Sequence, residues 1–112
     1  MLFEDSYLEV VGSSKGLFKD KGSKFIAYTF HTKDEDDVKT RIAEVRKKEF
    51  AARHHCYAYI LNPDKSIQRD CDDGEPSSTA GKPILGQLLS NDLTNTLIIV
   101  VRYFGGMKLG IG

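Results

Sequence analysis

The run NTLIIVVRYF, residues 95–104, constrains this chain more than any other stretch. Leu97 to Val101 is apolar without a break and rich in β-branched residues. A strand with one wet face alternates apolar and polar side chains, whereas a strand buried on both faces does not. Leu97–Val101 therefore reads as a central strand that needs cover on two sides. A chain of 112 residues suits one domain with a core of thin margin. One face can be covered by the chain's own helices. The other is expected to be covered by a segment absent from the chain, or by a second copy.

Candidate partners for that strand lie upstream. Tyr7 to Val11 reads as a short strand ended by Gly12, Ser13 and Ser14. KFIAYTFHT, Lys24 to Thr32, reads as a longer one, with Ile26, Tyr28 and Phe30 on one face and Phe25, Ala27 and Thr29 on the other. TKDEDD then supplies a cap, Thr32 or Asp34, and acids for the positive end of a helix. Val38, Ile42 and Val45 recur at helical spacing, which predicts a helix near residues 34–49. His54 to Leu61 and Ile67 to Cys71 flank the turn residues Asn62-Pro63-Asp64-Lys65 and read as a hairpin. A loop of those four residues sets Leu61 opposite Ser66, Ile60 opposite Ile67, Cys56 opposite Cys71 and His55 opposite Asp72. It also turns Arg69 toward the apolar side beside Ala58, which suits an arginine poorly. Ile84, Leu85, Leu88 and Leu89 form the stripe of a second helix near residues 80–90, with Pro83 in its first turn. The order strand, strand, helix, hairpin, helix, strand predicts an α+β domain: a two-layer mixed sheet with helices on one face.

Lys plus Arg equals Asp plus Glu, 16 of each, so bulk charge holds this chain on neither nucleic acid nor membrane. No apolar run approaches the roughly 20 residues that span a bilayer, and MLFEDSYLEV is too acidic for a secretory signal. The expected location is cytoplasmic. Two cysteines, Cys56 and Cys71, do not make a disulfide scaffold. With His54 and His55 they are nominally a zinc set, but neighbouring strand residues point to opposite faces, so no metal is expected. No fingerprint of a bound cofactor is present, and none is expected.

The stretch DDGEPSSTAGKP, Asp72 to Pro83, carries the chemistry. The hairpin gathers His54, His55, Asp72 and Asp73 at its open end, from which the Glu75–Thr79 loop departs. A carboxylate beside an imidazole fixes its tautomer, as a general base requires. The commoner use of such a pair is to hold a sheet end, and Ser77 and Ser78 sit in no nucleophile elbow. The SSTAGKP amides, hydroxyls and Lys82 lie at a helix start, a ready anion site. Gly105, Gly106 and the residues around them allow a ligand or backbone to come close. RKKEFAAR and KGLFKDKGSK are basic, and Tyr28, Phe30, Tyr57 and Tyr59 are aromatics of the kind that stack single-stranded RNA, or else core.

ARHHCYAY at 52–59, DDGEPSSTAGKPIL at 72–85 and VVRYFGGMKLGIG at 100–112 together resemble the N-terminal domain of the YigZ/IMPACT family. The resemblance implies a fold similar to the second domain of a small-subunit ribosomal protein. It implies a domain over residues 1–112 that lacks the family's following helix and a C-terminal ferredoxin-like domain. Eukaryotic members regulate translation, and nucleic-acid or ribosome binding is suggested for bacterial ones. The family carries Gly where this chain has Ser78, which implies a relaxed turn there. No catalytic residues come with the resemblance.

The leading expectation is a non-enzymatic, translation-linked domain that contacts RNA, the ribosome or a translation-regulating protein. Its candidate binding residues are His54, His55, Asp72, Asp73, Glu75, Ser77, Ser78, Thr79, Lys82, Arg102, Tyr103, Gly105, Gly106 and Lys108. The alternative is an enzyme acting on a phosphorylated or acidic small molecule at the same His–Asp and anion site. Self-association through an uncovered sheet face is a further expectation.

Overall fold

The computed structural model describes residues 13–20 and 23–103, and side chains from residue 24. The strand expected at Tyr7–Val11 and the glycine block with Gly105, Gly106 and Lys108 lie outside the described residues. Among those described, the elements run β1 (Ser13–Asp20), β2 (Ser23–His31), α1 (Glu35–Lys48), β3 (His55–Leu61), β4 (Ile67–Cys71), α2 (Gly81–Ser90) and β5 (Thr96–Tyr103). The strands form one five-stranded sheet in the order β1-β2-β5-β3-β4. Ser13 and Ser14, read as a strand end, instead open β1 and pair with Phe30 and Thr29.

The α+β class holds, but the sheet is antiparallel at every seam rather than mixed. β2 and β3 run the same way, yet β5 lies between them. β4 and β5 also run the same way, with β3 between. Each helical connection therefore steps over one strand, and no two parallel strands touch.

The helices lie on opposite faces, not on one. Val38 and Val45 of α1, with Ile42 beside them, pack on Ile26, Tyr28, Phe30, Tyr59, Leu61, Leu97, Ile99 and Val101. Ile84 and Leu88 of α2 pack on Cys56, Ala58, Ile60 and Ile98. Leu89, expected in that stripe, is 43% exposed. The unbroken apolar run of β5 is thus accounted for within the chain: Leu97, Ile98, Ile99 and Val101 are each 0% exposed. Val100, on the α2 side, is half-buried beside that cluster.

Local chemistry sets the helix ends. Asp34 caps α1 by accepting the Asp37 N–H at 2.8 Å, and the Asp37 carboxylate accepts the Lys33 N–H at 3.1 Å. α2 begins at Gly81, and its N-cap Ala80 offers no side-chain bond. Pro83 falls in the first turn, where its missing N–H costs nothing. Gly81 lies so close to β4 that a Cβ there would stand 2.7 Å from the Cys71 backbone nitrogen.

The β3–β4 hairpin is shifted by one residue from the expected register. Leu61 pairs with Ile67, Tyr59 with Arg69, Ala58 with Asp70 and Tyr57 with Cys71. The loop takes in Ser66 because Asn62 and Lys65 adopt left-handed conformations, φ 78 and 59. Asn tolerates that region well. The shift frees Arg69 to be exposed and puts Cys56 and Cys71 on opposite faces. A cross-strand disulfide between them is geometrically excluded.

Burial of β5 on two sides has a measurable consequence. Ile98→Ala and Ile99→Ala should each lower unfolding stability by about 2–5 kcal/mol in denaturant titrations. A face left open would spare one of the two.

Candidate functional site

The first residues of β3, the last of β4 and β5, and the C-terminal end of α1 meet at one end of the sheet. The 72–80 loop closes over that end, and its three carboxylates each take a separate partner. The Asp72 carboxylate accepts the backbone N–H groups of Ser78 at 2.8 Å, Ala80 at 3.1 Å and Gly81 at 2.7 Å. It caps α2 from a distance and fills the anion site that the SSTAGKP amides make. Those bonds, from Gly81 and Ser78 above all, hold its carboxyl below the usual carboxylate range.

Asp73 serves the α1 side. Its Oδ2 accepts the His55 N–H at 2.7 Å, and its Oδ1 lies 3.3 Å from Arg46 Nη2. The Asp73 carbonyl accepts His54 Nδ1–H at 2.7 Å. His55 is buried. Its Nε2–H donates to the Glu49 carbonyl at 2.9 Å, which leaves Nδ1 facing Asp73 Oδ2 at 3.7 Å. Glu75 serves the α2 side, where it pairs with Arg102 at 3.3 Å. The Arg102 guanidinium also lies 5.7 Å from the centre of the Phe25 ring. Lys82 stands 3.8 Å from Asp70, an exposed and weak pair.

So the structure brings His54, His55 and Asp73 together, as the sequence implied. It gives Asp72 to the α2 amides, Glu75 to Arg102 and Lys82 to Asp70. The expected register sets His55 opposite Asp72; the one-residue shift replaces Asp72 with Asp73. Cys56 lies beneath the loop and donates to the Asp72 carbonyl at 3.1 Å. Burial first, then the nearby carboxylates, push its thiol up to about 12, so it is inert as a nucleophile.

One residue of this end escapes the sequence reading. Glu49, the C-cap of α1, is buried and accepts the hydroxyls of Tyr28 and, at 2.7 Å, Tyr103. Burial, then the bond to Glu49, pushes the Tyr103 phenol up to about 12. A signal was present: Glu49 continues the Val38, Ile42, Val45 stripe at the next core-facing position. Tyr28, Phe30 and Tyr59 are buried under α1, so none of them is an open platform for bases. Neither α1 nor α2 is long and apolar enough to cross a membrane.

The profile of the Impact N-terminal domain matches residues 21–112. The chain belongs to the IMPACT family. It is 37% identical over 107 residues to the IMPACT family member YvyE of Bacillus subtilis, covering 96% of this chain and 49% of that one. It is 44% identical over 94 residues to the IMPACT family member YigZ of Escherichia coli, covering 82% and 46%. Among solved structures it is similar to the two-domain translational regulator Yih1, with a TM-score of 0.63, 25% identity and coverage of 85% and 38%. The chain spans about half the length of YvyE and YigZ.

The relaxed turn expected at Ser78 is not found. Ser78 keeps φ at 64, the left-handed region that favours glycine. In that conformation the Ser78 and Gly81 amides both donate to the Asp72 carboxylate, at 2.8 and 2.7 Å.

Two outcomes test this arrangement. Ser78→Gly should raise stability by about 0.5–1 kcal/mol, the relief of the left-handed strain less the added freedom of the unfolded chain. Asp72→Asn should lower the denaturation midpoint at pH 7. Because the folded state depresses the Asp72 pKa, its contribution is present above the ordinary carboxylate pKa and lost as pH falls through the lowered value. The gap between wild type and Asp72→Asn should therefore begin to narrow below about pH 4 and close only at more acidic pH.

Proposed function

We propose that this domain is a translation-linked binding module that contacts the ribosome, not an enzyme. The observation that carries the reading is the engagement of His55, the residue an acid–base mechanism would need. Its Nε2–H is committed to the Glu49 carbonyl, its Nδ1 faces Asp73, and it is buried. A general base must reach its substrate, and this one reaches only the protein. Likeness to a regulator of translation supports the same reading.

The surface that remains for contact is the outer side of the loop. Ser77, Ser78, Thr79 and Lys82 are exposed, and His54 is half-buried against Asp73 at the start of the loop. His55 and Tyr103 are buried; they shape this surface from beneath. The hydroxyls can meet phosphate or backbone groups, and Lys82 supplies a charge held only loosely by Asp70.

The protein should sediment with ribosomes at low salt and be released as salt rises. Lys82→Ala should weaken sedimentation without altering fold. Failure of the wild-type protein to sediment with ribosomes or subunits at any salt would overturn the proposal. So would turnover of a metabolite that His55→Ala abolishes while binding is kept.

A further inference from the structure

We infer that the turn after α1 is a contact site for single-stranded RNA, with Phe50 as the platform on which a base stacks. The inference rests on the translation-linked reading and adds a second surface to it. Phe50 is 82% exposed, although the residues on either side of it in the core, Val45 and Ala52, are buried. It is also held in place. The Glu49 N–H donates to the Val45 carbonyl at 2.8 Å, and the Ala52 N–H to the Glu49 carbonyl at 3.1 Å. The Glu49 side chain is tied to Tyr28 and Tyr103 and its carbonyl to His55. A turn anchored at Glu49 on its inner side presents Phe50 outward, so little ordering is left to be done on binding.

The surroundings select the occupant. Lys47 and Arg53 are exposed, and neither has an ion pair among the described residues. Arg46 remains 44% exposed while paired to Asp73. The nearby carboxylates are engaged: Glu44 with Arg41 at 3.2 Å and Asp73 with Arg46. In a chain of zero net charge, Lys47 three residues before Phe50 and Arg53 three residues after it bracket the exposed ring in sequence with unpaired positive charge. A protein partner would want a broader apolar patch. One exposed ring with cations close on both sides of it in the chain fits one unstacked base and its flanking phosphates.

The test is fluorescence anisotropy with a labelled oligouridylate of about ten nucleotides. Phe50→Ala should weaken binding at least about fivefold and Phe50→Trp should not, since one stacked base contributes about 1–3 kcal/mol. Lys47→Ala with Arg53→Ala should lower the slope of log affinity against log salt by about 1.4, close to 0.7 for each phosphate that the protein no longer neutralises. Unchanged affinity in Phe50→Ala overturns the inference. So does equal competition by polyglutamate of matching charge, which would mark an acidic protein as the occupant. If the protein binds no oligouridylate yet sediments with ribosomes, this inference falls and the ribosome reading stands; if it binds oligouridylate through Phe50 but does not sediment, the reverse holds.

Discussion

Burial of β5 on both faces is the constraint on which the rest of the structure depends. Of the five consecutive apolar residues Leu97 to Val101, four are fully buried, on both faces of the strand, and Val100 is half-buried. At about 25 cal/mol for each Å² of apolar surface removed from solvent, a strand buried on both faces supplies much of the driving force of so small a core. It obliges α1 and α2 to occupy opposite faces and β2 and β3 to pair with its two edges. The helical connections then have to step over a strand, which keeps every seam antiparallel.

The loop at the end of the sheet follows from that arrangement. Two helices on opposite faces leave a sheet end that must be tied to both. Asp72 holds the start of α2, Asp73 holds β3 and the last turns of α1, and Glu75 holds the end of β5. Its wealth of carboxylates and small residues is therefore chiefly structural. What it offers a partner is its outer surface of hydroxyls and one lysine.

Much of this is legible in the sequence. The helices, the hairpin and the central strand follow from periodicity, and so does the gathering of His54, His55 and an aspartate at the hairpin's open end. The pairing partner does not, because Asn62 and Lys65 turn left-handed and lengthen the loop to include Ser66. Arg69 signals the error in advance: directed toward the apolar side, it has no reason to be there. β1 is hidden because KGLFKD lacks clean alternation, and edge pairing depends on backbone more than on side chains. Which face each helix takes is illegible, since an apolar stripe reports that a helix packs and not on which side. Glu49 is easily overlooked because a glutamate at a helix end is ordinarily a wet residue.

The position of β5 at the centre of the sheet and late in the chain has a consequence for biosynthesis. β1 with β2, and β3 with β4, can each zip as a local hairpin while the polypeptide is still emerging. In the finished sheet the two hairpins share no seam, and Thr96–Tyr103, which follows both in the chain, is the strand that joins them. The pairings of β5 with both hairpins span long stretches of chain, the kind of contact whose closure slows folding.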